Sequence, residues 1–323
     1  MAFALAAGDD LVGRFITVDG TRLHYVAAGK GTQVVLLHGN GSMIGDFLSS
    51  GIVERLSKSH RVIVFDRPGF GHSERPPGRE WGPFEQAQLL SRALVLLGIE
   101  QPVVVGHSWG TLVALAMGLE GLQNVAGLVL LSGYYYPVPL PQTSTQKPAF
   151  RIGDHPFRHA FEPIFSRWMA AAAVRRVFAP CAVPVRFQNA YSIPHALRPS
   201  QVRAVKEEAT MLAESARMLS QRYREISIPV HLIAGSEDGI VSTPLHSTRL
   251  HQELPASMYL ELPGVGHMVH HAAPDHVVKA IEAVGERSLG TWAARMAASA
   301  GKSKPREWLH IGESYDEHVA AAA

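Results

Sequence analysis

The sequence predicts an α/β protein built on a mostly parallel sheet with helices on both faces, and three observations carry that prediction. Short, almost wholly apolar runs recur at 34–38 (VVLLH), 61–66 (RVIVFD), 102–107 (PVVVGH) and 126–133 (AGLVLLSG). Stretches of helical length separate them, at 44–58, 84–98 and 109–120. The rhythm stops at Tyr134 and resumes at 229 with PVHLIAGSED. Strands that lack polar alternation are buried on both faces, which is the habit of parallel sheets covered by helices.

Taken in order, the first element is a hairpin. Residues 14–19 (RFITVD) and 22–28 (RLHYVAA) flank Asp19-Gly20, a pair that supplies the positive φ of a tight turn. The four strand–helix repeats follow. From 134 to 224 a Pro-rich stretch (YYYPVPLPQ) and helix-like segments at 158–178 and 200–222 replace the alternation, and this block reads as a helical cap inserted into the core. The core, 14–133 and 225–290, then closes with a helical stretch near 244–253, the strand SMYLEL at 257–262 and a helix from about Asp275 to Glu286. Residues 291–323 form a C-terminal extension whose polar tail, from about 298, is an extra helix or partly disordered.

Composition excludes several classes. With 323 residues, 46% hydrophobic and 18% charged, the chain is long enough for one large domain with an insertion. Its formal charge of +2 is spread without a basic run, which argues against nucleic acid and anionic lipid as partners. The single cysteine, Cys181, excludes an internal disulfide and agrees with a reducing compartment. The N-terminus MAFALAAGDD is a poor signal peptide, and no apolar run approaches the roughly 20 residues that span a bilayer. The expectation is a cytoplasmic protein with a small-molecule substrate; oligomeric state is not legible.

Chemistry concentrates in three loops. GHSWG at 106–110 lies between the strand PVVV and a helix, the setting in which a sharp turn lifts a serine above a sheet and small flanking residues avoid a clash. Ser108 is the candidate nucleophile. A serine hydroxyl needs a base, and the base needs a carboxylate to fix its tautomer. Asp238, in the loop SEDG after the strand HLIAG, and His267, in the loop PGVGHM after MYLEL, fit these roles; Glu237 is the runner-up acid. The turn HGNG at 38–41 brings main-chain N–H groups toward the same place, and the backbone N–H groups of Asn40 and Trp109 are the candidate oxyanion donors.

Other motifs read as structural. In DRPGFGHS at 66–73, Asp66 ends a strand and the glycines shape a loop. His107 reads as packing or a local hydrogen bond beneath Ser108. His267, His270, His271 and His276 raise the question of a metal, but neither an HExxH pattern nor a second cysteine accompanies them, so no metal is assigned. No dinucleotide turn or phosphate loop appears, so no organic cofactor is assigned either.

Together HGNG, DRPGFGHS, GHSWG, SED and GVGHM closely resemble the α/β-hydrolase superfamily, in particular its capped, single-domain bacterial serine hydrolases, from about Arg14 to Glu286. The resemblance implies the α/β-hydrolase fold, with catalytic groups in the chain order Ser, Asp, His. It also implies an enzyme that hydrolyses a small to medium carboxylic ester through an acyl-enzyme. Carbon–carbon hydrolysis of a diketone-type substrate is the enzymatic alternative, cofactor-free haloperoxidase-like perhydrolysis comes third, and a non-catalytic ligand-binding member is the reading from another class. The epoxide and haloalkane branches carry Asp at the elbow, where this chain has Ser108. Tyr134, Tyr135, Tyr136, Phe157, Phe161, Phe165, Trp168 and Phe187 are aromatic residues of the insertion that could line an apolar pocket.

Overall fold

The computed structural model describes residues 13–121, 125–137 and 170–300, with only the backbone described at 291–300. One eight-stranded sheet forms the centre. Its strands are β1 (Arg14–Val18), β2 (Thr21–Ala28), β3 (Thr32–Leu37), β4 (His60–Phe65), β5 (Val103–His107), β6 (Gly127–Leu131), β7 (Val230–Gly235) and β8 (Met258–Leu262), in the spatial order β1-β2-β4-β3-β5-β6-β7-β8. The β1–β2 and β2–β4 pairs are antiparallel; every other pair is parallel. Val18 pairs with Thr21 across Asp19 (φ 47) and Gly20 (φ 73), so the expected two-residue hairpin turn is present, with positive φ at both central positions.

Successive residues of the central strands enter opposite cores. Val35, Leu37, Ile63, Phe65, Val104 and Leu130 face a cluster shared with helices α3 (Pro83–Leu96) and α4 (Gly110–Glu120). Val34, Leu36, Val62, Val64, Val105 and Val129 face a second cluster shared with α1 (Ile44–Ser50), α2 (Ile52–Leu56) and α11 (Pro274–Ala300). Alternating burial on two covered faces is the reason these strands read as unbroken apolar runs.

Three helices differ from expectation. The stretch 44–58 is two helices, because Gly51 takes a left-handed conformation (φ 79) between them. The stretch 244–253 opens with a wide π turn at Pro244–Thr248 before α9 (Arg249–Glu253). After the short α10 (Val269–Ala272), the closing helix α11 starts at Pro274 and runs to Ala300, so the expected boundary at 290/291 falls inside a continuous helix.

Between β6 and β7 the chain forms helical residues 170–178 (α5), then α6 (Val185–Ala190), α7 (Ile193–Ala196) and the long α8 (Pro199–Ser220). Phe157, Phe161, Phe165 and Trp168 lie outside the described residues, as does most of the expected helix at 158–178. The two ends of this insertion meet: the Tyr223 hydroxyl donates to the Tyr135 carbonyl at 2.7 Å, and the Tyr136 ring stands edge-on to Tyr223 at 5.7 Å. Among the described residues, no helix is long and apolar enough to cross a membrane.

The chain passes from β3 to β4 on one side, then crosses to β5 on the other side of β3. Such a reversal leaves a crevice beyond the carboxyl ends of the two neighbouring strands, where open α/β sheets place their ligands. The turns at that point are HGNG after β3 and Ser108-Trp109 between β5 and α4.

Candidate active site

Ser108 sits at the turn between β5 and α4 with φ 51, a left-handed conformation that costs a non-glycine residue energy. Its N–H is anchored to the Leu131 carbonyl at 2.9 Å, and its own carbonyl accepts from the Thr111 hydroxyl at 2.6 Å and the Thr111 N–H at 3.0 Å. The flanking glycines are required by contact. A Cβ at Gly106 would lie 2.5 Å from the Gly110 carbonyl oxygen, and one at Gly110 would lie 2.3 Å from that of Leu37. The turn is therefore as tight as its sequence implies, and it directs the positive end of α4 toward the crevice.

Asp238 and His267 meet after β7 and β8. His267 Nδ1 lies 2.8 Å from Asp238 Oδ2, and both side chains are almost fully buried. Asp238 Oδ1 accepts from the N–H groups of Ile240 (2.8 Å) and Val241 (2.9 Å), so the carboxylate is fixed from its other side. An ionised carboxylate only accepts, so Nδ1 of His267 carries the proton and Nε2 is left as a base. Glu237 is exposed and bonds the Val265 carbonyl through its backbone alone.

Ser108, His267, Asn40 and Trp109 border one cavity of about 620 Å³, which Val177, Phe187, Val205, Leu212, Ile240 and Val241 also line. Of the aromatic residues named from the sequence, Tyr134 and Phe187 reach this cavity, as does Tyr191, which sequence reasoning did not name, whereas Tyr135 and Tyr136 are core residues, 0% and 2% exposed. A second cavity of about 640 Å³ shares Val174, Phe187 and Tyr191 with the first. The Asn40 side-chain amide donates to the Val205 carbonyl at 3.2 Å, and the Trp109 indole N–H to the Glu208 carbonyl at 3.3 Å. Among the described residues, neither backbone N–H has a protein acceptor.

Sequence reasoning missed a buried cluster beside these groups. Asp46 Oδ1 accepts from His270 Nε2 (2.9 Å) and His271 Nε2 (2.7 Å), and Oδ2 accepts from the Ser42 hydroxyl (3.0 Å). Burial raises the Asp46 carboxyl, but the two histidines outweigh it and hold the group well below the usual carboxylate range. The ligand atoms of Asp46, His270 and His271 lie within 4.8 Å of one another, close enough in principle to share a cation. Their mutual hydrogen bonds account for the arrangement as it stands. His270 and His271 thus serve Asp46, 224 and 225 positions away in the chain, a partnership with no local sequence signal. His107 places Nε2 3.2 Å from the His267 carbonyl and its ring 4.3 Å from that of His270.

The DRPGFGHS loop is knit as densely as a core. Asp66 accepts from the N–H groups of Ile44 (2.8 Å) and His72 (2.9 Å) and pairs with His24 Nδ1 at 2.7 Å. Arg67, fully buried, bonds Glu208, Gln86 and the His38 carbonyl.

A sheet reversed at β3/β5, a left-handed serine at the following turn and a carboxylate–histidine pair after β7 and β8 form one architecture, and the α/β hydrolase fold model matches residues 32–274 of the sequence. The chain belongs to the α/β-hydrolase family. Among its relatives, haloalkane dehalogenase 2 of Mycobacterium tuberculosis is 27% identical over 272 residues, covering 80% of this chain and 90% of that one. Among solved structures, a serine hydrolase involved in carbazole degradation, the CarC enzyme, superposes with a TM-score of 0.68 at 19% identity, covering 84% and 98% of the two chains. A thermophilic esterase from Thermogutta terrifontis gives 0.65 at 22% identity, covering 86% and 99%. This α/β hydrolase therefore shares its fold with enzymes of differing substrates, and its own site must supply the distinction.

Proposed function

We propose that this α/β hydrolase is a serine hydrolase that cleaves small to medium carboxylic esters through an acyl-enzyme. The observation that carries the reading is the Asp238–His267 pair, with its proton on Nδ1, opening onto the same cavity as the left-handed Ser108. In the proposed reaction His267 Nε2 takes the proton of the Ser108 hydroxyl as its oxygen attacks the ester carbonyl. Asp238 stabilises the imidazolium, and the backbone N–H groups of Asn40 and Trp109 receive the negative charge of the tetrahedral state. His267 returns the proton to the departing alkoxide. A water molecule, deprotonated by the same histidine, then attacks the acyl-enzyme and releases the acid and free Ser108.

The insertion, residues 134–224, acts in this proposal as a cap over the Ser108 turn, and the mainly aliphatic and aromatic cavity wall suits an apolar acyl or alcohol group. A nucleophilic serine, rather than the aspartate of the haloalkane and epoxide branches, argues against halide displacement despite the dehalogenase relative. Carbon–carbon hydrolysis of a diketone-type substrate is the second reading, since the same serine, histidine and acid could serve it.

The test is covalent labelling with a fluorophosphonate followed by peptide mapping. Stoichiometric adduct at Ser108, abolished in Ser108→Ala, is expected; folded protein that takes up no label would replace the enzyme reading with that of a ligand-binding member of the fold.

A further inference from the structure

Both candidate oxyanion residues are held by one helix of the insertion. The side chains of Asn40 and Trp109 donate to the carbonyls of Val205 and Glu208, three residues apart on α8. Beneath them lies Arg67, whose side chain and that of Glu208 are 0% exposed. Arg67 Nη2 donates to Glu208 Oε2 (3.1 Å) and Nη1 to the other carboxylate oxygen, with Nη1 also reaching Gln86 Oε1 (3.0 Å). Its Nε donates to the His38 carbonyl at 2.7 Å, two residues before Asn40, and its main-chain N–H to His38 Nε2 at 3.0 Å. The guanidinium also lies 4.8 Å from the centre of the Trp109 ring.

We infer that Arg67 and Glu208 are positioning residues that set the oxyanion donors by locking the HGNG turn and Trp109 against α8. The inference rests on the proposed acyl-enzyme chemistry. A buried ion pair is a poor source of stability, because desolvation of both charges offsets their attraction and apolar residues of similar volume often serve as well. What the pair supplies is geometry. The planar guanidinium has donors in a fixed fork, and here they fix a loop carbonyl from β3, a side chain of α3 and a carboxylate of α8 relative to one another. Oxyanion stabilisation depends on donors being in place before charge develops, and a displacement near 1 Å costs on the order of a hundredfold in rate. His38, with both ring nitrogens used, completes the brace on the HGNG side.

The test compares the full-length wild type with Glu208→Gln, Arg67→Lys, Trp109→Phe and the double substitution Arg67→Met/Glu208→Leu, each at a temperature where circular dichroism shows it folded. Three quantities are read: kcat and KM for p-nitrophenyl butyrate, and the inhibition constant of phenylboronic acid, whose tetrahedral adduct on the serine occupies the oxyanion site. Expected is a fall in kcat of about tenfold to a hundredfold with a parallel loss of boronate affinity and little change in KM. Trp109→Phe, which keeps an aromatic ring and the backbone N–H but loses the indole donor, should give a smaller loss of the same kind. Folded variants whose kcat and boronate affinity stay within about twofold of wild type, or whose loss lies in KM alone, overturn the inference. If Glu208→Gln alone does not fold, the double substitution, which removes both charges together, decides the matter. Wild-type protein that takes no fluorophosphonate at Ser108 sinks the proposed function, and this inference with it; labelled wild type with unimpaired variants sinks this inference alone.

Discussion

His107 Nε2 and the backbone carbonyl of His267 stand 3.2 Å apart, so the residue preceding the candidate nucleophile holds the loop of the candidate base. A carbonyl only accepts, which places the His107 proton on Nε2 and leaves Nδ1 a buried acceptor with no hydrogen bond among the described residues, 4.0 Å from Asp46 Oδ2. Replacing His107 with Leu should slow turnover by about tenfold and lower stability by about 1–3 kcal/mol, because the His267 carbonyl loses its donor. Gln at this position retains an N–H and should recover part of both; steady-state kinetics with chemical denaturation checks the pair. Equal loss in Gln and Leu variants would remove the hydrogen bond from the explanation.

Ser108 gives a test in which activity and stability move oppositely. Ser108→Ala should lose about three to six orders of magnitude in kcat while keeping its left-handed strain. Ser108→Gly should be equally inactive yet about 1 kcal/mol more stable than the alanine variant, since glycine takes φ 51 without a Cβ clash. Urea titrations of both variants measure this; an alanine variant as stable as the glycine one would mean the turn is not strained.

Asp238→Asn should reduce kcat by about four orders of magnitude through loss of tautomer control, whereas Glu237→Gln, at an exposed position, should fall within about twofold of wild type. The reverse ranking would transfer the acid role to Glu237.

Stability should decline on mild acidification. His38 is held down to about 4, by burial first and by the neighbouring Arg67 second. His107 and His270 are also lowered, burial again leading. A histidine whose folded pKa lies below its unfolded value binds a proton more readily when unfolded. Its contribution is therefore complete above the ordinary histidine value of 6.5 and is lost as pH falls from there toward 4. For His38 alone the loss is on the order of 3 kcal/mol at full titration. Asp46 and Asp66, whose carboxyls are depressed, keep contributing until pH falls through their lower values. Denaturation midpoints measured between about pH 7 and pH 4 should drop steadily, and His38→Asn should flatten the slope by about one proton. A profile flat across that interval would contradict the burial of these rings.

Esters of short acids should be cleaved faster than those of long fatty acids, because the cavity beside Ser108 is about 620 Å³ and walled by the insertion. A p-nitrophenyl series from acetate to palmitate gives the answer. Preference for the long chains would discard the restricted pocket, and turnover of a vinylogous diketone without ester cleavage would promote carbon–carbon hydrolysis.

The sheet was legible because β3 to β8 signal themselves locally: each is a short apolar run, and the tight glycine turns at 38–41 and 106–110 follow β3 and β5 directly. The residues named for the site, Ser108, Asp238, His267, Asn40 and Trp109, lie in loops after strands, and topology brings those loops together. What stayed hidden depends on long-range pairing. Asp46 with His270 and His271, and Arg67 with Glu208, join segments more than a hundred residues apart, and a charged residue on a helix reads as solvated until its partner is seen. The break at Gly51 was hidden for another reason, since a glycine inside a helical pattern is tolerated as often as it ends one.

The hydrogen bond from Tyr223 to the Tyr135 carbonyl fastens the neck of the insertion, so the sheet registers the same boundary whatever lies between. A segment pinched shut at its base behaves as an interchangeable cassette, because lengthening a loop whose ends are already joined adds little closure entropy. Such a scaffold can acquire a new substrate by exchanging the segment above the neck without renegotiating strand pairing. An incoming cassette would have to restore, at its lower surface, an acid where Glu208 now meets Arg67 and carbonyls where Asn40 and Trp109 now donate.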